Sequence, residues 1–358
     1  MSVGNETVVA GSVAAILVVL VSLAVVDSRM LPAASSGRSV LVSLGCAATG
    51  SLAWLVFAPI GAPAAVGPLF GPVTALAAVA AYLATIAVRA SGGSVAITIA
   101  FGILWSTLVF VPAAIVTFTP YAVDWPIALQ PVDHGGSLAL NVCSGAAALG
   151  VLLAGGRRVK SAPIGLKRGV TAMVALCAGW LAWLVGAELA IDDVTPLILV
   201  NGLVGAVGGV IGWLVVQRIS HLSTTLPAVA AGLVSGLVAV TSGASLFTPV
   251  SAAATGIIAG GAACIFTLRR VGASRRQQWF IVGSHLVAGA VGIVLLGLLA
   301  TSMGFLFTGS TRLIQNQIAG TLVIASYSAL VSFLLWQVLR RVPGATTAQV
   351  RDRVPVPR

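Results

Sequence analysis

Long apolar runs separated by short polar segments dominate the chain, and eleven of them are long enough to cross a bilayer. A helical crossing takes about 20 residues. Lipid cannot pair backbone N–H and C=O groups, so each run is predicted to be helical. The runs fall near 8–26, 39–61, 69–90, 94–118, 136–156, 168–190, 195–216, 224–242, 249–269, 278–303 and 315–340.

Composition favours the same fold class. Of the 358 residues, 58% are hydrophobic and 8% are charged, whereas a typical soluble domain carries about 25% charged residues. This balance excludes a soluble enzyme, a nucleic-acid-binding protein and a disordered chain. The sequence therefore predicts an all-α integral membrane protein embedded in a lipid bilayer.

Charged residues are distributed unevenly between alternate loops. With the N-terminus placed outside, all 19 Lys and Arg residues except Arg312 fall on the inner side. The acidic residues fall outside, apart from Asp27 and Asp352. This bias predicts an N-out, C-in orientation, and it assigns the net charge of +11 to topology. Because no basic residue precedes the first run, that run does not read as a secretory leader.

Eleven runs divide into five, five and one. A half built from an odd number of helices places the next half upside down, as in inverted-repeat transporters. We therefore expect one membrane domain, 1–341, with a pathway between its halves and with helices five and ten as counterparts. Its parts are a first half at about 8–156, a second half at about 168–303, a last helix at about 315–340, and a short basic cytoplasmic tail at 342–358.

Polar residues inside the runs are candidates for function because burying them in lipid is costly. His285 lies well inside the tenth run, and Asn141 lies in the fifth, about two turns deeper than Asp133. Either of them can also serve as a hydrogen bond between helices. Asp133, at the outer lip, is either a helix N-cap or a carboxylate that shapes a cation site.

Aromatic residues gather near the outer ends of the runs: Phe70, Phe118, Tyr121, Trp180 and Trp183. Such rings are often interfacial anchors. They can also hold a desolvated cation, a contact worth about 2 kcal/mol or more. The sequence contains no nucleotide loop, HExxH motif, CxxC pair or Ser-His-Asp arrangement. We therefore predict a non-enzyme without a cofactor or a metal.

The stretch from Asp133 to Arg158 carries a longer pattern, D-x-x-G-S-x-x-L-x-x-x-S-G-x-x-A-L-x-x-x-L-A-x-G-x-R. This pattern closely resembles, without gaps, the signature of the ammonium transporter (Amt/Mep/Rh) family. The resemblance covers nearly the whole chain and is weakest in the first 65 residues. Other similar stretches are 179–183, 232–241, 256–260, 285–292 and 315–333.

The resemblance implies a homotrimer in the plasma membrane with a separate hydrophobic pore in each subunit. Ammonium is recruited at an outer aromatic-lined site, and ammonia then passes two facing histidines. Asp133 matches the aspartate that shapes the outer site, and Trp183 matches an aromatic that lines both site and gate. Phe70 matches a gate phenylalanine, and His285 matches the second pore histidine.

Several positions depart from the family pattern. Asn141 stands where the first pore histidine belongs, or Leu140 does if the match slips by one residue. Thr74 replaces the partner gate phenylalanine, and Ala187 replaces a serine that binds the ion. Phe118 or Tyr121 takes the place of an outer tryptophan, and His134 stands where an aromatic residue is usual.

These departures change the expected chemistry. Asparagine forms hydrogen bonds but does not titrate near neutrality as imidazole does, so a proton relay is impaired. We expect weaker ammonium recruitment, a more open gate and net flux of neutral ammonia. Two alternatives remain: a non-conducting sensor or regulator, and a pore for another small neutral molecule such as carbon dioxide. The short tail does not favour a regulatory signalling partner.

Overall fold

The computed structural model describes residues 3–27, 36–63, 67–118, 130–155, 165–269 and 279–346. These residues form ten helices long and apolar enough to cross a membrane, one shorter apolar helix and a short turn, Phe305–Thr308. The helices are α1 (Val3–Val26), α2 (Ser36–Gly61), α3 (Phe70–Ala90), α4 (Val95–Phe118), α5 (Ser137–Ala154), α6 (Leu166–Gly186), α7 (Thr195–Ile219), α8 (Leu226–Val240), α9 (Pro249–Arg269), α10 (Val282–Leu299) and α11 (Arg312–Leu339).

The all-helical, multi-pass membrane fold is confirmed, and each apolar run of the sequence contains one helix. The shorter helix is α8, whose limits have local causes. Thr225 precedes it in extended conformation and accepts the Ala228 N–H through its side chain. Pro227 lies in the first turn, where a missing N–H costs nothing. The number of crossings and their orientation stay predictions.

The helices differ in how much of their surface faces the interior. The central helices α3 and α5 are buried over 89% and 83% of their most apolar stretches, whereas α11 is buried over 28%. Leu322, Leu330 and Leu334 of α11 are each more than half exposed. An apolar row of this kind on a helix surface suits contact with lipid tails.

Glycine lets several helices approach closely, as small residues do in membrane bundles. In α7, a side chain at Gly209 would collide with the backbone of Gly232 and Gly236 in α8. A side chain at Gly145 in α5 would likewise collide with the backbone of Leu286 in α10. The second contact fixes the spacing of the two helices that carry Asn141 and His285.

Helix α11 is fastened to α5 along its length. At one end, the Gln317 side chain accepts the Val132 N–H at 3.1 Å and donates to the Val132 carbonyl at 2.8 Å. In the middle, the Ser328 hydroxyl donates to the Cys143 carbonyl at 2.6 Å. The first contact pairs backbone groups of the loop before α5, and the second adds a bond to a carbonyl within α5.

The opposite end of the bundle is closed by the same helix. Trp336 Nε1 donates to the Gly155 carbonyl at 2.8 Å, just past the end of α5. Beyond α11, the Ala345 carbonyl accepts the Ser94 N–H at 2.7 Å. The first described residues of the segment predicted as a tail therefore pair with the α3–α4 loop.

We expect Gly145→Ala to destabilise the protein by about 1–3 kcal/mol, the usual cost of overpacking a filled core. The added methyl group would press on the Leu286 backbone and separate α5 from α10. Thermal unfolding in detergent measures the effect. The matched control is Gly11→Ala in α1, where a methyl group meets no atom within 4 Å. Equal melting temperatures for the two variants would contradict the tight α5–α10 contact.

Candidate pore site

Asn141 and His285 meet at the contact between α5 and α10. Both side chains are fully buried, and Asn141 Oδ1 lies 2.9 Å from His285 Nδ1. The two helices run antiparallel, because Gly289 lies beside Asn141 whereas Gly145, one turn further along α5, lies beside Leu286. Two predicted pore residues from different halves of the chain are thus brought into direct contact.

Each of these residues lies in a wider, π-helical turn. Ser137–Val142 opens α5 and contains Asn141, and Val282–Val287 opens α10 and contains His285. Such turns are rare and recur at functional sites. The two turns occupy equivalent positions at the starts of helices five and ten, which the sequence pairs as counterparts.

The pair leaves two polar atoms without a partner among the described residues. They are Asn141 Nδ2 and His285 Nε2, and both are buried. Nearby hydroxyls are already used: Ser144 donates to the Leu140 carbonyl at 2.6 Å, and Ser284 donates backward along α10 at 2.8 Å. A buried polar atom without a partner costs about 1–3 kcal/mol. The arrangement therefore favours a small guest that supplies the missing hydrogen bonds.

Asp133 caps the helix that carries Asn141. Its carboxylate accepts the Ser137 N–H at 2.7 Å and the Leu138 N–H at 2.6 Å, and 7% of the residue is exposed. Burial raises the pKa of Asp133 to about 7, while the N–H groups at the start of α5 oppose this rise. Gly136, with φ of +81°, turns the chain between the cap and the helix.

The two tryptophans of α6 lie tilted against each other, and Trp180 is linked through Thr241 to the loop that follows Asp133. Trp180 and Trp183 have ring centroids 5.2 Å apart, and both are buried. Trp180 Nε1 donates to Thr241 Oγ1 at 2.8 Å, and the Thr241 carbonyl accepts the Gly135 N–H at 3.1 Å. These bonds join the ends of α6 and α8 to the loop before α5. We call this region, with Asp133 at its centre, the mouth.

The other predicted mouth and gate residues are less closely grouped. Phe118 lies against Gly136, close enough to leave no space for a side chain there. Phe70 makes its ring contact with Trp54, at 6.1 Å, and not with Trp183 within the described ranges. The Thr74 hydroxyl donates to the Phe70 carbonyl at 2.7 Å. Tyr121 lies outside the described residues.

Sequence reasoning missed a charged contact at the mouth. His134 Nδ1 lies 3.4 Å from Glu188 Oε1 and 3.0 Å from Ser245 Oγ. The hydrogen bond to Glu188 raises the pKa of His134, and the same contact lowers the pKa of Glu188. The available signal was Glu188 at the outer end of the sixth apolar run, which the sequence treats only as an outer charge.

The chemistry of the site follows from this distribution of groups. Ionisable side chains and indole rings lie at the mouth, whereas uncharged hydrogen-bonding groups lie at depth. Nowhere in the described residues do three His, Cys, Asp or Glu side chains converge as metal ligands would. Chemically, the arrangement can attract a small polar molecule at the mouth and form hydrogen bonds with one at the deep pair.

The fold and site together define a multi-pass membrane protein with a mostly apolar core and a buried polar pair. The family model for the Ammonium Transporter Family matches residues 67–352, which is more than half of the chain. The chain belongs to this family, as the sequence resemblance indicates.

Individual relatives give the same result. The ammonium transporter of Mycobacterium tuberculosis is 28% identical over 309 residues, covering 77% of this chain and 65% of that protein. The ammonium transporter of Bacillus subtilis is 29% identical over 252 residues, covering 67% of this chain and 61% of that protein. The chain thus matches slightly less than two thirds of the length of these curated relatives.

Solved structures share the fold. Mep2 of Saccharomyces cerevisiae superposes with a TM-score of 0.82 and 17% identity, covering 100% of this chain and 94% of that one. A structure described as a sensor Amt protein gives a TM-score of 0.80 and 15% identity, covering 96% and 95% of the two chains. At these identities the likeness concerns the fold alone.

We expect Asp133→Asn to destabilise the protein by about 1–3 kcal/mol, because the amide cannot accept both N–H groups. The substitution should also remove the part of the pH dependence of stability that comes from Asp133. An acid whose pKa is raised on folding binds a proton more readily in the folded state. As the pH rises from about 4 to about 7, the Asp133 pKa, the free energy of unfolding of the wild type should therefore decrease.

Thermal unfolding in detergent across this pH range tests the expectation. The exposed Asp193→Asn, in the α6–α7 loop, is the matched control and should behave as wild type. An Asp133→Asn variant with wild-type stability and an unchanged pH slope would contradict the assigned role of Asp133 as the cap of α5.

Proposed function

We propose that this protein transports ammonium or ammonia across a membrane rather than catalysing a reaction. The observation that carries the proposal is the buried pair of Asn141 and His285, which leaves one atom of each residue without a partner. Membership of the Ammonium Transporter Family and relatives named as ammonium transporters support the choice of substrate.

The proposed path begins at the mouth. There the carboxylate of Asp133 and the nearby rings favour a cation over a neutral molecule. Deeper in the bundle, the absence of charge favours a neutral guest, so the ion gives up a proton to water at the mouth before it reaches the pair. The proposed outer site consists of Asp133, Trp180, Trp183, Phe118 and Tyr121, and the proposed gate consists of Phe70, Thr74 and Trp183.

We further propose the assembly and placement that the sequence favours. These are a homotrimer in the plasma membrane, an N-out, C-in orientation, and two inverted halves within 1–341. The matching π-helical turns of α5 and α10 support the inverted halves. The basic loops support the orientation.

A second candidate function is sensing without conduction. The observation that favours it is Asn141 itself, since asparagine cannot take up and release a proton as a histidine would. A pore for carbon dioxide is less suited to the pair, because carbon dioxide has no hydrogen to donate to His285 Nε2 or to any other acceptor. Flux measurements distinguish these possibilities.

We expect His285→Ala to slow transport by about 5- to 150-fold, because loss of a buried hydrogen-bond partner costs about 1–3 kcal/mol. The measurement is internal alkalinisation of proteoliposomes after an ammonium jump. His221→Asn is the matched control, since His221 is exposed and its φ of 55° suits asparagine.

Three outcomes separate the candidate functions. Unchanged flux in His285→Ala would contradict a path past this residue. Wild-type flux equal to that of empty liposomes would favour the sensor. Faster acidification by carbon dioxide, without ammonium-dependent alkalinisation, would favour the gas pore.

A further inference from the structure

The hydrogen bond between Asn141 and His285 constrains which ring nitrogen carries the proton. The atoms 2.9 Å apart are Asn141 Oδ1 and His285 Nδ1. A carboxamide oxygen only accepts, so the hydrogen must belong to Nδ1. A neutral imidazole has one N–H, and the other nitrogen then presents a lone pair. The lone pair in this tautomer is on Nε2.

No other described group competes for this ring. His285 Nε2 has no partner, and the adjacent Ser284 hydroxyl is bonded within its own helix. Asn141 Nδ2 also lacks a partner, and it carries two hydrogens. The free groups of the pair are therefore one donor, on Asn141, and one acceptor, on His285.

We propose that Asn141 is a positioning residue that holds His285 in the Nδ1–H tautomer and thereby determines the specificity of the pore. This inference rests on the proposed function. Together the two residues form a subsite for a small neutral molecule that both donates and accepts a hydrogen bond. Ammonia and small primary amines have both capabilities.

The same geometry rejects the charged form of the substrate. An ammonium ion has four donors and no lone pair, so it cannot accept from Asn141 Nδ2. The partial positive charge of that amide group also faces the ion. A molecule without a hydrogen to donate, such as carbon dioxide, leaves His285 Nε2 unsatisfied. Each mismatch leaves a buried polar atom unpaired.

The pair of Asn141 and His285 also prevents protons from crossing the bundle, a property that we call the proton stop. If a guest donates a proton to His285 Nε2, the ring becomes a cation, with its Nδ1–H still bonded to Asn141 Oδ1. Onward transfer from Nδ1 requires an acceptor that binds a proton near neutral pH, and a carboxamide oxygen does not. The added proton can only leave again from Nε2, back to the guest that donated it, so protons do not cross the bundle by this route.

The direct test is the tautomer itself, measured by solid-state NMR on the full chain in lipid with ¹⁵N-labelled histidine. The chain contains only 3 histidines, so His285→Gln assigns the signal. We expect a protonated Nδ1 and an unprotonated Nε2 for His285 at neutral pH. A protonated Nε2 with a bare Nδ1 would overturn the proposal.

Two variants separate positioning from simple packing. Asn141→Leu keeps the approximate volume but removes the acceptor, so the His285 signal should lose its Nδ1–H pattern. Asn141→Asp keeps an oxygen at the same place, so Nδ1 should stay protonated. An unchanged pattern in Asn141→Leu would overturn the assigned role. Because all three spectra are recorded without transport, they give an answer even if the proposed function fails.

The proton stop is tested by measuring the electrical current that accompanies transport. With an ammonium jump on a solid-supported membrane, we expect wild-type liposomes to alkalinise without a sustained current. Asn141→His restores a titrating group, and the current per protein should rise by about tenfold or more, within the range of a positioned acid–base group. A sustained wild-type current that His285→Ala removes would overturn the proton stop. Absence of both flux and current would instead count against the proposed function.

Discussion

A single hydrogen bond between two buried side chains, Asn141 and His285, determines much of the surrounding architecture. Far from water, each of these residues depends on the other for a partner. To meet, α5 and α10 must approach closely, which Gly145 permits. Both side chains must also point inward at the same depth, and the π-helical turns place them there. The bond is thus a point at which α5 and α10 are held together.

Ionisable groups lie at the mouth of the bundle, and uncharged hydrogen-bonding groups lie deeper. The ionisable contact between His134 and Glu188 lies at the mouth, and the Asp133 carboxylate is stabilised there by the N-terminal N–H groups of α5. Further in, the pair offers a neutral amide and an imidazole. On the proposed path, a guest would pass from a region that favours cations into one where burial disfavours any charge. The order of these two regions selects for a molecule that can change its protonation state.

Helical periodicity and run length made the helices predictable, because lipid leaves the backbone no other way to pair its polar groups. The depth of Asn141 and His285 was also readable, since residue number converts directly into rise along a helix. Contacts between helices could not be predicted from the sequence. Phe70 lies on Trp54, and Trp180 bonds to Thr241, because the rotation of each helix depends on packing that no single run encodes.

Gln317 illustrates the same limit. It is a polar residue in an apolar run, and we made no prediction for it from the sequence. Its partners, both backbone groups of Val132, lie 185 positions earlier in the chain. Local sequence contains no information about a partner at that distance. The family resemblance supplied the fold where periodicity alone gave only a set of helices.

The attachment of α11 to α5 has a consequence for biosynthesis. The bonds from Gln317 and Ser328 each join residues 185 apart, so α5 enters the membrane long before the helix that completes its bonding. At about 5–20 residues per second, the interval is about 10–40 s. During that time the Val132 backbone groups and the Cys143 carbonyl lack the bonds that α11 later supplies. A chain released too early would expose these groups, and cellular quality control could recognise them.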